Sequence, residues 1–436
     1  MHIAAAIANS TLSGQETIVA DAMAFEISSD LEIDNSRVAP LPAELIVTRK
    51  KCVVSGATDL DHLLTLREFP VGMYCIPADW EGHEYVTDMC WSICKTSGVI
   101  QLTKLIDPQT LYDFQHDSGA IGGLWRTHHE EFCDFIDSFG SKRILEIGSG
   151  HGHLAKVFTD RHTGNCHWIM VEPNLPEWLA SGNHSKEISP ISAWFGDKFD
   201  LPAEFREIDA VVHSHTLEHM YDYDEFLRTV ARMKPEFQIF SVPHQQEWLR
   251  RGWQNSIMFE HPQLLTPTSI EYIMAQHGFV LKKKQIFADG HSLFYAFSHT
   301  GEPCSATTGT LVKEYAENKL LFQNWLKANL NFVTDMNNRM ATMLASESEQ
   351  RIYIFGAHVF TQYMVKFGLQ ASKISAILDN STDKQGKRLY GLPLKVCSPL
   401  ILKEQNGPIV ILRVGAYADE IKRGILRINK NTIFWE

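Results

Sequence analysis

The sequence predicts an α/β protein. A Rossmann-like unit with a doubly wound parallel sheet lies at its centre, with a small module before it and a second Rossmann-like α/β unit after it. Three observations carry this expectation. A short apolar strand, Arg143-Ile144-Leu145-Glu146-Ile147, runs straight into Gly148, Gly150 and Gly152. Further apolar strands at residues 167–171, 208–212 and 237–242 alternate with helical stretches, one of them Tyr223 to Met233. Strands separated by helices imply parallel pairing with helical crossovers. The same strand–helix rhythm then returns at residues 351–356, 374–379 and 408–413.

Taken in order, residues 1–48 read as an extension ending in Pro40-Leu41-Pro42, which looks like a linker. Residues 49–106 form a small module bearing Cys52, Cys75, Cys90 and Cys94. Helical pattern dominates from Pro108 to Phe139, within a central domain placed at 107–300. A helix from about Thr310 to Ser346 leads into the last unit, 301–436.

The bulk numbers agree with two to four domains, at roughly 100–200 residues each, for 436 residues. A net charge of -12 argues against nonspecific nucleic-acid or anionic-membrane binding, because phosphates would be repelled. A small acidic substrate in a locally basic cleft remains compatible with that charge. No apolar run reaches the length of about 18 residues that a membrane span needs. The first residues lack the positive stretch of a secretory signal, so the chain is expected to be cytoplasmic. Eight scattered cysteines in a chain this long do not form a disulfide framework.

The glycine segment is a ligand loop. Glycines between a strand and a helix let the backbone turn tightly and approach a ligand. Glu172 follows Gly152 by 20 residues at the end of the next strand, where an acid meets ribose hydroxyls. A dinucleotide requires GxGxxG to seat its pyrophosphate. Here the spacing is GxGxG, and His153 stands where the third glycine would be. Adenosylmethionine has no pyrophosphate, so the loop favours a methyl donor over NAD. A glycine turn without a ligand is the remaining reading.

These residues resemble class I methyltransferases. Glu146-x-Gly148-x-Gly150-x-Gly152 is similar to their first motif, and Val171-Glu172-Pro173-Asn174 to their ribose-binding second strand. Phe195-Gly196-Asp197 resembles the segment flanking the adenine, and residues 209–219 the fourth strand with its following loop. The resemblance implies S-adenosylmethionine as cofactor, contacted by Glu146, Gly148, Gly150, Gly152, Glu172, Pro173, Asp197 and Ser214.

A narrower resemblance, over residues 50–425, is to three-part sugar C-methyltransferases that act on nucleotide-linked 4-keto-6-deoxy sugars. It rests on the order of residues 94–102, Phe259-Glu260-His261, residues 289–293 and residues 379–386. That family carries two CxxC pairs holding zinc. This chain has Cys52-Val53-Val54-Ser55 and Cys94-Lys95-Thr96-Ser97 instead. Serine is a poor zinc ligand, so no metal is expected, although Cys75 and Cys90 offer substitutes. His116 stands where the family has tyrosine, Met258-Phe259 where it has Tyr-His, and Phe294 where it often has arginine. These departures are expected in or near the substrate cleft.

Methylating a carbon beside a ketone needs a base to form the enolate, and histidine titrates near working pH. The resemblance implies His219, in the loop after the fourth strand, as that base, with Glu218 orienting a partner or the substrate. Donors to the enolate oxygen are sought in His261, His116 and His244. Of the twenty histidines, His213 and His215 are expected to offer backbone contact to the cofactor. His128, His129, His162 and His184 are read as surface or helix positions.

The C-terminal unit is expected to close the substrate cleft, or to serve only structure or dimerisation. Asp379 is a ribose ligand or a helix cap, and Lys384, Lys387 and Arg388 are a diphosphate site or a solvated turn. Three functions follow: C-methylation of a nucleotide-linked keto-deoxy sugar, O- or N-methylation of another small metabolite, and a non-catalytic cofactor-binding scaffold. The partners expected are a small-molecule substrate and no nucleic acid or membrane, for a monomer or homodimer.

Overall fold

A computed structural model describes residues 25–27, 37–112, 122–182, 184–205, 207–302, 311–346 and 349–436. Its strands fall into three main sheets. The N-terminal strands are β1 (Phe25–Ile27), β2 (Val38–Pro40), β3 (Ile46–Thr48), β4 (Leu60–Pro70), β5 (Cys75–Ile76), β6 (Glu84–Cys94), β7 (Ile100–Leu102) and β8 (Lys104–Ile106). The sheet order is β1-β4-β6-β2, with β7 also on β6.

Two strands of the expected extension therefore belong to the sheet of the following module: β1 pairs with β4 and β2 with β6. Pro40-Leu41-Pro42 is not a linker. Leu41 is buried and donates its N–H to Val86 O at 2.9 Å. The prolines sit where a ladder ends, and an apolar residue between them joins the core.

Helices α1 (Pro108–Tyr112) and α2 (Gly123–Asp137) precede the central sheet. That sheet comprises β9 (Arg143–Ile147), β10 (His167–Val171), β11 (Ile188–Ile191), β12 (Ala210–Ser214), β13 (Phe237–Pro243), β14 (Phe279–Phe287) and β15 (Ser292–His299). Their order is β11-β10-β9-β12-β13-β15-β14. The first five are parallel, while β15 and β14 run antiparallel to their neighbours.

Both faces of this sheet are covered, as parallel strands require. Leu145, Ile147, Ile169, Val171 and Val211 enter one core, and Ile144, Trp168, Met170, Ala210 and Val212 enter the other. This is the two-residue alternation of strand side chains. The order reverses at β9, which lies between β10 and β12. The loops after β9 and β12 therefore flank the crevice where such sheets bind ligands.

The crossover helices are α3 (His153–Arg161), α4 (Glu177–Ala180), α5 (Tyr223–Arg232), α6 (Gln245–Arg250) and α7 (Pro267–Gln276). Asp222 caps α5 by accepting from Glu225 N. Thr266 and Ser269 form a capping box on α7, followed by Pro267 in the first turn. Both are strong helix-start signals.

The long helix α8 (Glu314–Ala345) buries Leu321, Phe322, Trp325, Val333, Met336 and Met340, mostly at steps of three and four. Its buried amides reach other units. Asn318 Nδ2 donates to Gly98 O at 3.0 Å, and Asn329 Oδ1 accepts from Gln254 Nε2 at 2.7 Å and Arg413 Nε at 3.1 Å. Helices α9 (Val359–Lys366) and α10 (Ala418–Ile428) flank the third sheet. Its strands are β16 (Ile352–Phe355), β17 (Ala376–Leu378), β19 (Val396–Cys397), β20 (Ile409–Ile411) and β21 (Ile433–Trp435), all parallel in the order β19-β17-β16-β20-β21. Strand β18 (Arg388–Leu389) leaves this unit and pairs with β5 of the first. Among the described residues no helix is long and apolar enough to cross a membrane.

Candidate active site

The loop after β9 carries Gly148 at φ 70°, Gly150 at φ 51° and Gly152 at φ 73°, all left-handed backbone that favours glycine. Their surroundings differ. A Cβ on Gly148 would stand 2.8 Å from Thr216 Cγ2, and one on Gly152 2.8 Å from Trp178 Cζ2. A Cβ on Gly150 would meet nothing within 4 Å. Gly148 and Gly152 are thus required for packing, and Gly150 is the glycine whose open side admits a ligand.

Glu172, after β10, holds this loop. Its Oε2 accepts from Gly150 N at 3.1 Å and its Oε1 from Asn174 N at 3.0 Å. Burial raises its carboxyl above the usual range, opposed by those two N–H groups. Glu146, on β9, is buried, accepts from Trp168 Nε1 at 2.7 Å, and is pushed by desolvation up to about 8. Ser214 Oγ lies 2.9 Å from Ser241 Oγ between adjacent strand ends. The Pro173 carbonyl accepts from Ser192 Oγ at 3.3 Å. Asp197 pairs with Arg228 at 3.3 Å, and its carbonyl accepts from Arg232, so among the described residues its side-chain partner lies on α5.

The loop after β12 forms a short 3-10 turn, Leu217–His219. His219 Nδ1 lies 2.8 Å from the Tyr112 hydroxyl of α1, and its ring centroid is 4.9 Å from that of His261. His261 Nδ1 lies 3.1 Å from the Asn255 carbonyl. A carbonyl only accepts, so the His261 proton sits on Nδ1 and its Nε2 carries the lone pair. Burial, with His219 nearby, pushes this imidazole down to about 3, so it is neutral. The expected donation from His261 to an enolate oxygen is therefore not what this geometry offers; Nε2 is an acceptor. His116 lies outside the described residues.

Glu218 is fully buried. Neither carboxylate oxygen has a hydrogen-bond partner among the described residues, although His215 Nδ1 approaches Oε1 to 3.4 Å. Desolvation pushes its carboxyl up to about 8. The turn is anchored through its backbone. Gln263 Nε2 donates to Glu218 O at 2.9 Å and Met220 O at 3.0 Å. Arg49 then donates to Gln263 Oε1 at 2.9 Å and to Tyr221 O at 3.0 Å. Tyr112, Arg49 and Gln263 were not legible as site residues, because each meets its partner only through the tertiary fold.

The side chains of His215 and His213 point into the interior. His213 is fully buried and stacks on Phe240 at 4.7 Å. His215 adopts φ 51°, with Nε2 3.0 Å from Ser292 Oγ, which in turn lies 2.8 Å from His291 Nδ1. His128 is no surface residue. It is wholly buried beside Trp125, Phe287 and Phe294. The spacing 125, 128, 132, 135, 136 of buried residues along α2 was the signal for this. His244 lies beside Gly290 rather than in the His219 group.

Phe294, Met258 and Phe259 are buried in apolar cores. Those departures from the sugar-methyltransferase pattern are interior repacking rather than changes to an open cleft surface. Cys52 Sγ lies 3.1 Å from Ser97 Oγ, and Ser55 Oγ 3.6 Å from Cys94 Sγ. The four expected positions thus converge. Cys75 and Cys90 stand apart from them, near Ala357 O and Thr65.

In the C-terminal unit Asp379 repeats the Glu172 device, accepting from Ala357 N and Ser381 N at 2.9 Å each. Lys384 Nζ lies 3.8 Å from it. Arg388 is not part of a solvated basic cluster, since both guanidinium arms bind the buried Glu84.

A family model described as a methyltransferase domain matches residues 124–284, from α2 into β14. Residues 124–284 are a methyltransferase domain. The methyltransferase from Mesorhizobium loti is similar at 15% identity over 40% of this chain and 97% of its own, with TM-score 0.32. One from Aquifex aeolicus gives 13%, 44%, 98% and 0.34, and the magnesium protoporphyrin IX methyltransferase from Synechocystis PCC 6803 gives 10%, 44%, 100% and 0.34. The family match carries the assignment. The cofactor of the methyltransferase domain is S-adenosylmethionine. The residues fit it: the open side of Gly150, after β9, and the Glu172 carboxylate, after the neighbouring β10, stand together at the ends of the parallel strands.

Proposed function

We propose that the chain methylates the carbon beside the ketone of a nucleotide-linked 4-keto-6-deoxy sugar, with His219 as general base. The observation that supports this reading is the meeting of His219, His261 and Tyr112 at the loop after β12, whose Thr216 packs on Gly148 of the glycine loop. Two of the stretches behind the sugar-methyltransferase resemblance are neighbours in the fold. Residues 94–102 abut 261–264 through Leu102 N to Pro262 O at 2.7 Å and Leu264 N to Ile100 O at 2.8 Å.

When bound, S-adenosylmethionine supplies an electrophilic methyl group on a sulfonium. Gly150 gives it backbone room, and Glu172 presents its remaining carboxylate lone pairs to the ribose hydroxyls. Asp197, Pro173 and Ser214 line the adenosyl side less directly. His219 removes the proton from the acceptor carbon. In the tautomer required, Nδ1–H donates to Tyr112 Oη and Nε2 takes the proton. The Tyr112 hydroxyl keeps its proton and donates a hydrogen bond to the enolate oxygen, the role His261 cannot fill. His261 Nε2 accepts from a sugar hydroxyl. Placement of the two reactants supplies most of the acceleration, since a sulfonium methyl needs alignment more than activation.

Solvent-deuterium exchange tests the reading. With a nucleotide-linked 4-keto-6-deoxy sugar in heavy water, the wild type places deuterium beside the ketone, and His219→Asn does not. Methyl transfer to an oxygen or nitrogen without carbon exchange would replace it by the O- or N-methylation reading.

A further inference from the structure

His219, read here as the base, stands with Glu218 and His261 in a group that also satisfies the requirements of a metal centre. One ligand atom each from Glu218, His219 and His261 lies within 4.8 Å of the others. Zinc–ligand bonds of roughly 2.0–2.2 Å place neighbouring ligands about 3.4 Å apart, so rotation of side chains suffices to close the set.

Three features point to a cation rather than to a chance cluster. Both imidazoles have Nδ1 against an oxygen, Tyr112 Oη at 2.8 Å and Asn255 O at 3.1 Å. Oxygen partners on the far ring nitrogen are what orient metal-binding histidines. For His261 this fixes the lone pair on Nε2. The Glu218 carboxylate is fully buried with neither oxygen hydrogen-bonded among the described residues. A buried carboxyl in that condition is stable either protonated or beside a cation, and its open lone pairs leave room for the latter. His215 Nδ1, 3.4 Å from Oε1, is itself fixed from behind by Ser292.

We propose that Glu218, His219 and His261 bind one divalent cation of zinc type, and that the bound ion switches methyl transfer off by occupying the lone pair of His219. Two imidazoles and one carboxylate select zinc-like ions over magnesium or calcium, which demand mostly oxygen ligands. Three protein ligands leave a position for water. The switch rests on the reading of His219 as base; the metal site does not.

Cobalt substitution is the test, on the full chain stripped with a chelator. Titration with Co²⁺ alone is expected to saturate at one equivalent with visible d–d bands and no thiolate charge-transfer band. A thiolate band would place the ion on Cys52 and Cys94 and overturn the proposal, as would no saturable binding. His261→Asn and Glu218→Gln each weaken cobalt binding by at least roughly 10-fold, since even second-shell losses cost that much. Unchanged affinity in both overturns it. If either variant fails to fold, X-ray absorption of the zinc-loaded wild type decides, with imidazole scattering and no sulfur expected. Methyl transfer to the keto sugar falls in step with zinc occupancy and returns with EDTA. Activation by zinc would overturn the switch. Binding at this site by a chain that never transfers methyl would leave the site standing and end the reading of His219 as base.

Discussion

The Tyr112 hydroxyl and His219 Nδ1 lie 2.8 Å apart, tying the short helix before the methyltransferase domain to the loop after β12. The contact fixes the ring orientation that a base at His219 needs. Tyr112→Phe removes it without altering shape. The expected result is a kcat roughly 10- to 100-fold lower, within what positioned general bases contribute, with cofactor affinity unchanged. Steady-state kinetics beside cofactor calorimetry check this; an equal loss in both would make Tyr112 a merely structural residue.

Gly150 and Gly148 separate ligand space from packing space. Gly150→Ala sets a methyl group toward the cofactor and costs about 1 kcal/mol of stability for the left-handed backbone. Its main expected effect is weaker cofactor binding. Gly148→Ala meets Thr216 at 2.8 Å, so its main expected effect is a lower melting temperature. Calorimetry and thermal unfolding of the two variants should rank them in opposite orders.

Glu146 makes stability depend on pH. Its ordinary value is 4.5, and burial raises it to about 8 in the folded chain. Between those values the folded state keeps a proton that the unfolded state has released. The stability is therefore fully present below 4.5 and is lost as pH rises through 8. Glu146→Gln, which keeps the Trp168 contact, should flatten this slope by about 1–3 kcal/mol between pH 6 and 9. Urea unfolding at several pH values measures it; parallel slopes in both proteins would contradict the account.

Arg49 acts at a distance on the same loop. Arg49→Ala leaves Gln263 Oε1 and Tyr221 O without their cation, at a cost of roughly 1–3 kcal/mol. It also loosens the backbone of residues 218–221. Lower kcat with little change in cofactor affinity is the expected outcome, and Arg49→Lys should restore only part of it, because one ammonium does not replace two guanidinium arms.

What could be read in the sequence was what is local. The run from Arg143 through Gly152 states strand, turn and helix in consecutive residues, and Glu172 follows one strand later. Glu218-His219 was legible for the same reason. Strands β14 and β15 were not, because Lys282, Lys283 and Lys284 interrupt the apolar alternation of one and the other is buried on both faces. Arg49 and Gln263 are 214 residues apart, and no local pattern announces such a pair. Pro40-Leu41-Pro42 misled because prolines mark a linker and the end of a sheet strand alike. His128 lies on a helix, one of the two places expected for it, but its burial was missed although its position on the buried stripe of α2 was in plain sight.

The central claim is that adenosylmethionine sits on the glycine loop beside Glu172. Titration calorimetry of the purified chain with S-adenosylmethionine tests it most directly. The account predicts one site per chain, weakened at least roughly 10-fold by Glu172→Ala, which removes charge-assisted contacts worth about 1.5–3 kcal/mol each. No heat of binding, or equal binding by wild type and Glu172→Ala, would contradict it.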